Sequence, residues 1–434
     1  MQLNDLHPSV TIAKVVPGTR TSEPTAISPE TLFLVDLCAR QRGLAAARPM
    51  EPGTTLDWER FLYEVARHKV IGLVYRAFSG GLATLPPPEI FRRIKQEAAT
   101  KAAAKSMQLA AWGVVGKALE DAGIRTLMVK GPALSLQLYG DPGARESRDI
   151  DLLVDAANMG RTSELFKSMG YETIDESFDI NEKVARFQES KSRHIAFKKK
   201  GFPAYFEIHG IQGADIVLAP IPVEEAFARS VRLLSDGLEF PTLAADDHAL
   251  VVLLHGAHHG WFTLQWVLDA MATLRNREIN FDKMMDLGWR GEDPQFALDS
   301  FALFASQLFV DPDLDHFLPP QGKRMARAIG LSRLAFDQFA TGGVGVTKYR
   351  FLFKTTVHLW KLKRGLAAKL ASLSWIVTPT LHEFKFFKGA SVPLFVYYLA
   401  RPFLAAHRIA RWYLSRKGSE RTSQVRGLAP RNGL

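Results

Sequence analysis

The stretch IRTLMVKGPALSLQLYGDPGARESRDIDLLV (residues 124–154) decides the architecture. TLMV (126–129) is a short apolar run that ends at Lys130 and Gly131. Pro132 then opens PALSLQLYG as a helix, because a proline at the first helical position gives up only an N–H that no helical carbonyl would accept. The loop DPGARESR leads into DIDLLV (149–154), a second apolar run of strand length. The order is strand, turn, helix, loop, strand.

Outward from this stretch, residues 156–170 read as an amphipathic helix closed by Gly170. SRHIAFKKK (192–200) and AYFEIHG (204–210) read as a strand pair joined through Gly201, Phe202 and Pro203. Strands are expected only between about 124 and 210. Residues 1–28 form a leader rich in Pro, Ser and Thr, and Ser28-Pro29-Glu30 marks a helix start. The pattern predicts a helical region over 29–122, an α/β core over 123–221, and a helical domain over 222–340. The last includes ADDHALVVLLHGAHHGW and FTLQWVLDAMATLR. TGGVGVT (341–347) then opens a basic, aromatic-rich region, 341–434, with a disordered end.

The 434 residues are 47% hydrophobic and 23% charged, which excludes a fibrous or mostly disordered chain. The single cysteine, Cys38, excludes an intrachain disulfide and a cysteine-built zinc module. No basic run followed by an apolar stretch marks a signal peptide, and SVPLFVYYLARPFLAA (391–406) is interrupted by Arg401, Pro393 and Pro402. A cytoplasmic protein is expected. The net charge of +10 is unevenly placed: residues 341–434 hold 17 Lys+Arg against Glu383 and Glu420, a balance of +15, so the rest stands at −5. Basic residues interleaved with Phe, Trp and Leu suit an anionic membrane interface, so the tail is expected to touch the inner membrane face or a partner. Nucleic acid ranks well behind.

The chemistry centres on Asp149 and Asp151, which flank Ile150 in a strand and therefore point to one face. Two anions that close repel, and their natural occupant is a hard divalent cation such as Mg²⁺. Glu207 offers a third carboxylate from a neighbouring strand. Three carboxylates on a sheet edge suit phosphoryl or nucleotidyl transfer with two metal ions. The Lys130-Gly131 turn lies at a helix N-terminus, where free N–H groups and the helix dipole attract phosphate.

With VKGPAL (129–134), RDIDLLV (148–154), FEIHG (206–210) and HGAHHGWFTLQWVLDA (255–270), the chain resembles the bacterial uncharacterised nucleotidyltransferase family, within the superfamily of the DNA polymerase β type. FVYYLARPF (395–403) is a further point of likeness. The resemblance implies an α+β fold, a small mixed-sheet nucleotidyltransferase core embedded between N-terminal and C-terminal helical regions. It implies an enzyme of the EC 2.7.7 type that moves a nucleoside monophosphate from an NTP to an unidentified acceptor hydroxyl and releases pyrophosphate. A surface-polysaccharide pathway is one setting for such a protein. Position by position, Asp149, Asp151 and Glu207 match the metal-binding and catalytic acids, with two Mg²⁺ ions expected, and Gly131 matches the glycine of the phosphate-gripping turn. Pro132 departs from the pattern, which has Ser or Gly there; Lys130 with Arg148 or Arg145 could compensate by pairing with phosphate oxygens.

Two other readings compete. A decayed cleft on a membrane- or partner-binding adaptor is motivated by Pro132, and a D-x-D glycosyltransferase by Asp149 and Asp151. His255, His258 and His259 share one helical turn, and packing or polar contact is favoured over metal binding because apolar residues surround them. His209 is expected to share the face of Glu207 without serving as a general base. Asp246 and Asp247 read as an N-cap with acids that complement the helix dipole.

Overall fold

The computed structural model describes residues 26–174, 194–202, 205–210, 221–287 and 291–341, apart from Pro49 and Pro52, with scattered positions between 357 and 407. Helix α1 (Pro29–Gln41) begins where the spacing predicts: the Ser28 Oγ accepts the Thr31 N–H at 3.3 Å and Pro29 takes the first helical position. β1 (Ala45–Ala46), α2 (Trp58–His68), α3 (Ile71–Ser79) and the long α4 (Pro88–Asp121) follow. At about 1.5 Å per residue α4 spans roughly 50 Å, and it serves two cores. Ile90, Ile94 and Ala98 pack with the helical core of α1 to α3, whereas Ala111, Trp112, Val115 and Leu119 pack under the sheet.

The sheet is built from β2 (Thr126–Met128), β3 (Asp149–Val154), β4 (Glu172–Thr173), β5 (His194–Lys198), β6 (Tyr205–Gly210), β7 (Val231–Ser235) and β8 (Leu238–Thr242). α5 (Pro132–Tyr139), α6 (Met159–Ser168) and α7 (Val223–Arg229) lie between them in sequence. The strand order is β4-β5-β6-β3-β2-β8-β7, with β3 parallel to β6, β2 parallel to β8, and the other pairs antiparallel. Alternation sorts β3 by face: Ile150, Leu152 and Val154 are buried in the sheet core with Phe166, Phe197 and Phe206. Asp149 and Asp151 therefore turn to the opposite face, which Leu153 shares with Leu127, Val129 and Val251.

The expected range of the strands is corrected at both ends, since β1 already lies before residue 124. Strands do not stop at residue 210, because the hairpin of β7 and β8 joins the sheet through β8, and Thr242 Oγ1 donates to the Met128 carbonyl at 2.5 Å. The turn between them is Asp236-Gly237, both at positive φ (50° and 76°), a dipeptide that favours tight hairpins. The sheet thus reaches past residue 221.

Beyond it come α8 (Ala245–His259), α9 (Leu264–Leu274), α10 (Phe281–Leu287), α11 (Pro294–Ala305), β9 (Phe309–Val310), α12 (Pro312–Asp315) and α13 (Lys323–Thr341). β9 pairs with β1 and returns the chain to the N-terminal helices. The N-cap of α8 is Ala244, without a side-chain bond, rather than an aspartate. Asp246 and Asp247 sit in the first turn, where Asp246 pairs with Lys283 and Asp247 with Arg229. Contacts divide the chain into two units, Met1–Ile174 with Arg193–Arg364 and Asp175–Ser192 with Gly365–Leu434. In the second, residues 395–404 are helical and Phe395, Leu399 and Phe403 are exposed. Most of the 341–434 region expected to meet a membrane lies outside the described residues. Among those described, no helix is long and apolar enough to cross a membrane.

Two buried histidines tie the layers together. The His68 Nδ1 accepts the Leu264 N–H at 2.8 Å, and His248 Nε2 donates to the Val129 carbonyl at 2.6 Å while Nδ1 faces the side-chain amide of Gln137. Burial holds both imidazoles neutral, His68 well below the usual range and His248 at about 4. The folded pKa is depressed, so the unfolded chain takes up more protons as pH falls below about 6.5. Stability present above that pH is lost towards pH 4, at about 1.4 kcal/mol per pH unit for each such group. Urea midpoints measured at pH 7.5, 6 and 5 should fall steadily, and His248→Gln should flatten the slope; a midpoint constant to pH 5 contradicts this account.

Candidate active site

The site grows from the register of two parallel strands. Asp151 of β3 lies directly across from Glu207 of β6, with Asp149 across from Tyr205 and Leu153 across from His209. Residues in register share a face, and His209 follows Glu207 by two positions, so three polar side chains converge. His209 Nε2 is 3.2 Å from Asp151 Oδ1 and 3.8 Å from Glu207 Oε2. Ligand atoms from Asp151, Glu207 and His209 all lie within 4.8 Å of one another. Asp149, at the start of β3, is half-buried and stands outside that group of three.

The two carboxylates are pushed in opposite directions. Burial alone would raise Asp151, but the Lys130 charge and the His209 hydrogen bond outweigh it and hold the carboxyl well below the usual carboxylate range. Glu207 is raised by burial and then by the charges of Asp151 and Asp149. An anion and a proton-seeking neighbour side by side make a site that a divalent cation would relieve. The donor set fits one: two carboxylate oxygens suit Mg²⁺, and the imidazole, already bonded to Asp151, orients that carboxylate.

The turn before α5 faces this cluster from β2. Val129 N–H donates to the Asp151 carbonyl at 2.9 Å, which carries the pairing of β2 with β3 up to Lys130. Gly131 is required twice over. Its φ is 66°, and a Cβ there would lie 3.1 Å from the Asp149 carbonyl oxygen. The strand pair and the turn before α5 are thus pressed together at a residue without a side chain.

The two arginines of the loop are placed differently from each other. Arg145 is buried, and its Nε and Nη2 both donate to Asp269 Oδ2, at 3.1 and 3.0 Å. Asp269 also accepts from Tyr139 Oη at 2.8 Å and Gln265 Nε2 at 3.0 Å. Arg145 therefore fastens the loop to α9, and its charge reaches Asp151 only through space. Arg148 is exposed, with its guanidinium 5.0 Å from the centre of the Tyr205 ring.

The three clustered histidines of α8 pack as the apolar surroundings suggest. The rings of His255 and His259 lie 4.6 Å apart and both contact Trp266, while His258 faces Glu292 at 3.5 Å. Burial lowers the pKa of His255 and His259, followed by the Lys130 charge for His255, and by His258 and then Lys130 for His259. His209 lies on the face of Glu207, as its two-residue spacing predicts; reading the sequence missed only its bond to Asp151. It also missed the Arg145–Asp269 pair, for which residues 124 positions apart leave no local signal.

The Arg145 and Asp269 side chains are only 7% and 2% exposed, so Arg145→Leu would leave a buried carboxylate without its cation. Loss of one partner of such a pair costs about 3–5 kcal/mol. Urea unfolding should show that loss, and Arg145→Leu combined with Asp269→Leu should recover part of it; a loss below about 1 kcal/mol would contradict the role of the pair.

The chain is weakly similar to the solved structure of the antibiotic-resistance factor ANT(2'')-Ia, at 12% identity and a TM-score of 0.31, over 42% of this chain and 90% of that one. It is also similar to an antigenic nucleotidyltransferase-like protein from Paracoccidioides brasiliensis, at 16% identity and a TM-score of 0.28, over 39% and 76% of the two chains. No curated protein matches it. A family model, that of the uncharacterised nucleotidyltransferases, matches residues 54–290, which is more than half of the chain and takes in the sheet, the acid cluster and the turn at Gly131. The chain belongs to the family of uncharacterised nucleotidyltransferases.

Proposed function

We propose that this cleft transfers a nucleoside monophosphate from an NTP to an acceptor hydroxyl in a Mg²⁺-dependent reaction. The observation that supports it most is the facing pair Asp151 and Glu207 with His209, gathered within 4.8 Å on one sheet face. Asp151 and Glu207 would hold a cation, and Asp149 at the strand start would serve a second ion. Bound Mg²⁺ supplies neutralisation of the phosphate charge and a lowered pKa for the acceptor hydroxyl.

The chain's own groups account for the remaining work. The acceptor oxygen forms a bond to the α-phosphorus, the bond from that phosphorus to the bridging oxygen of the β-phosphate breaks, and pyrophosphate leaves with the electron pair. Glu207, whose carboxyl is raised, accepts the hydroxyl proton. His209 fixes the Asp151 carboxylate in place. Lys130 and the N-terminus of α5 attract the phosphates, and Arg148, exposed beside Tyr205, adds a second cation. A glycan, small molecule or protein hydroxyl fits as acceptor, and the family resemblance motivates a surface-polysaccharide setting.

The test uses the whole chain with Mg²⁺, each α-labelled NTP in turn, and a cell extract as the source of acceptor. Label should pass to an extract component with release of pyrophosphate, and Asp151→Asn combined with Glu207→Gln should lower the rate about a hundredfold or more. Equal labelling by the double variant, or label that follows a sugar nucleotide instead of a plain NTP, would sink the proposal.

A further inference from the structure

The middle of α4 brings a lysine to the turn at Gly131 from a helix that no motif connects with the site. Lys105 Nζ donates to Ser147 Oγ at 2.7 Å and to Gln108 Oε1 at 2.5 Å. Gln108 Nε2 in turn donates to the Asp149 carbonyl at 3.1 Å. Ser147 Oγ lies 3.8 Å from the place a Cβ on Gly131 would occupy. One ammonium, one hydroxyl and the glycine turn thus meet beside the first strand residue of the acid site.

Two features make this ammonium stand out. No carboxylate lies within ion-pair distance of Lys105 among the described residues, and two of its three N–H groups are used on neutral oxygens. The groups that act on it are Arg145, Asp149, Glu146 and Asp141, and burial with Arg145 brings its pKa down to about 7. A half-buried cation without a counter-ion among the described residues favours an incoming anion. The neighbouring turn is one donor short for such an anion, because Pro132 at the first position of α5 has no N–H to offer, and a nearby ammonium makes up for it.

We infer that Lys105 and Ser147 form a polyphosphate-binding subsite, in which the Lys105 ammonium and the Ser147 hydroxyl meet the β- and γ-phosphate oxygens and the pyrophosphate that leaves. The inference rests on the nucleotidyl-transfer reading above and assigns the part of the substrate that the acid cluster does not hold. The bland alternative is a tether, in which Lys105 only pins α4 to the loop through Ser147 and Gln108.

Calorimetric titration of the full chain with magnesium tripolyphosphate, and separately with inorganic phosphate, separates these possibilities. Lys105→Met should weaken tripolyphosphate about tenfold or more and inorganic phosphate far less, Lys105→Arg should stay within about threefold of the parent, and Ser147→Ala should fall between them. A Lys105→Met protein that melts earlier but binds tripolyphosphate as the parent does is a tether, and the subsite is overturned while nucleotidyl transfer stands. A parent chain that binds no tripolyphosphate overturns both. Ser147→Ala leaves the charge on α4 untouched, so it keeps the question answerable if Lys105→Met does not fold.

Discussion

The register of β3 against β6 is the constraint on which the rest depends. A parallel pair that sets Asp151 opposite Glu207 forces two carboxylates onto one face, and such a pair is unstable unless positive charge or a proton is at hand. The surroundings answer that demand in layers. His209 bonds Asp151, the Lys130 charge reaches it from the turn after β2, and burial with the charges of Asp151 and Asp149 raises the Glu207 pKa. A one-residue slip of β6 would turn Glu207 and His209 into the Phe166 and Phe197 core and bring Phe206 and Ile208 out to the acids. The aromatic packing beneath the sheet therefore enforces the chemistry above it.

The helices serve the same register from a distance. α4 belongs to two cores, so its central turns are fixed relative to the sheet even though few apolar residues hold them there. That is how Lys105 is delivered to the loop before β3. Trp112, further along the helix, donates its indole N–H to the Glu239 carbonyl of β8 at 2.8 Å and stacks near Phe240. On the other side, α9 supplies Asp269 to Arg145 and so fixes the loop that carries Ser147. Helical regions that are far apart in sequence thus fix the one loop that leads into β3.

Much of the centre was legible from local pattern. Alternation in DIDLLV places Asp149 and Asp151 on one face, and the turn at Gly131 announces itself through Lys-Gly-Pro between a strand and a helix. Glu207 sits on the strand expected for it. The hairpin of β7 and β8 escaped because Leu233, Leu238 and Phe240 are diluted by exposed neighbours, leaving Asp236-Gly237 as the one strong signal. Lys105 and Asp269 escaped for a different reason. Each meets its partner 42 or 124 residues away, and only the packing of whole helices brings such pairs together.

The central claim is that Asp151 and Glu207 form a divalent cation site coupled to nucleotide. Electron paramagnetic resonance of free Mn²⁺, titrated with the full chain in the presence and absence of NTP, tests it most directly. The account predicts that the protein removes Mn²⁺ from solution, that NTP tightens the uptake, and that Asp151→Asn abolishes it. Mn²⁺ that remains free beside the parent protein with NTP, or binds Asp151→Asn equally well, would contradict the account.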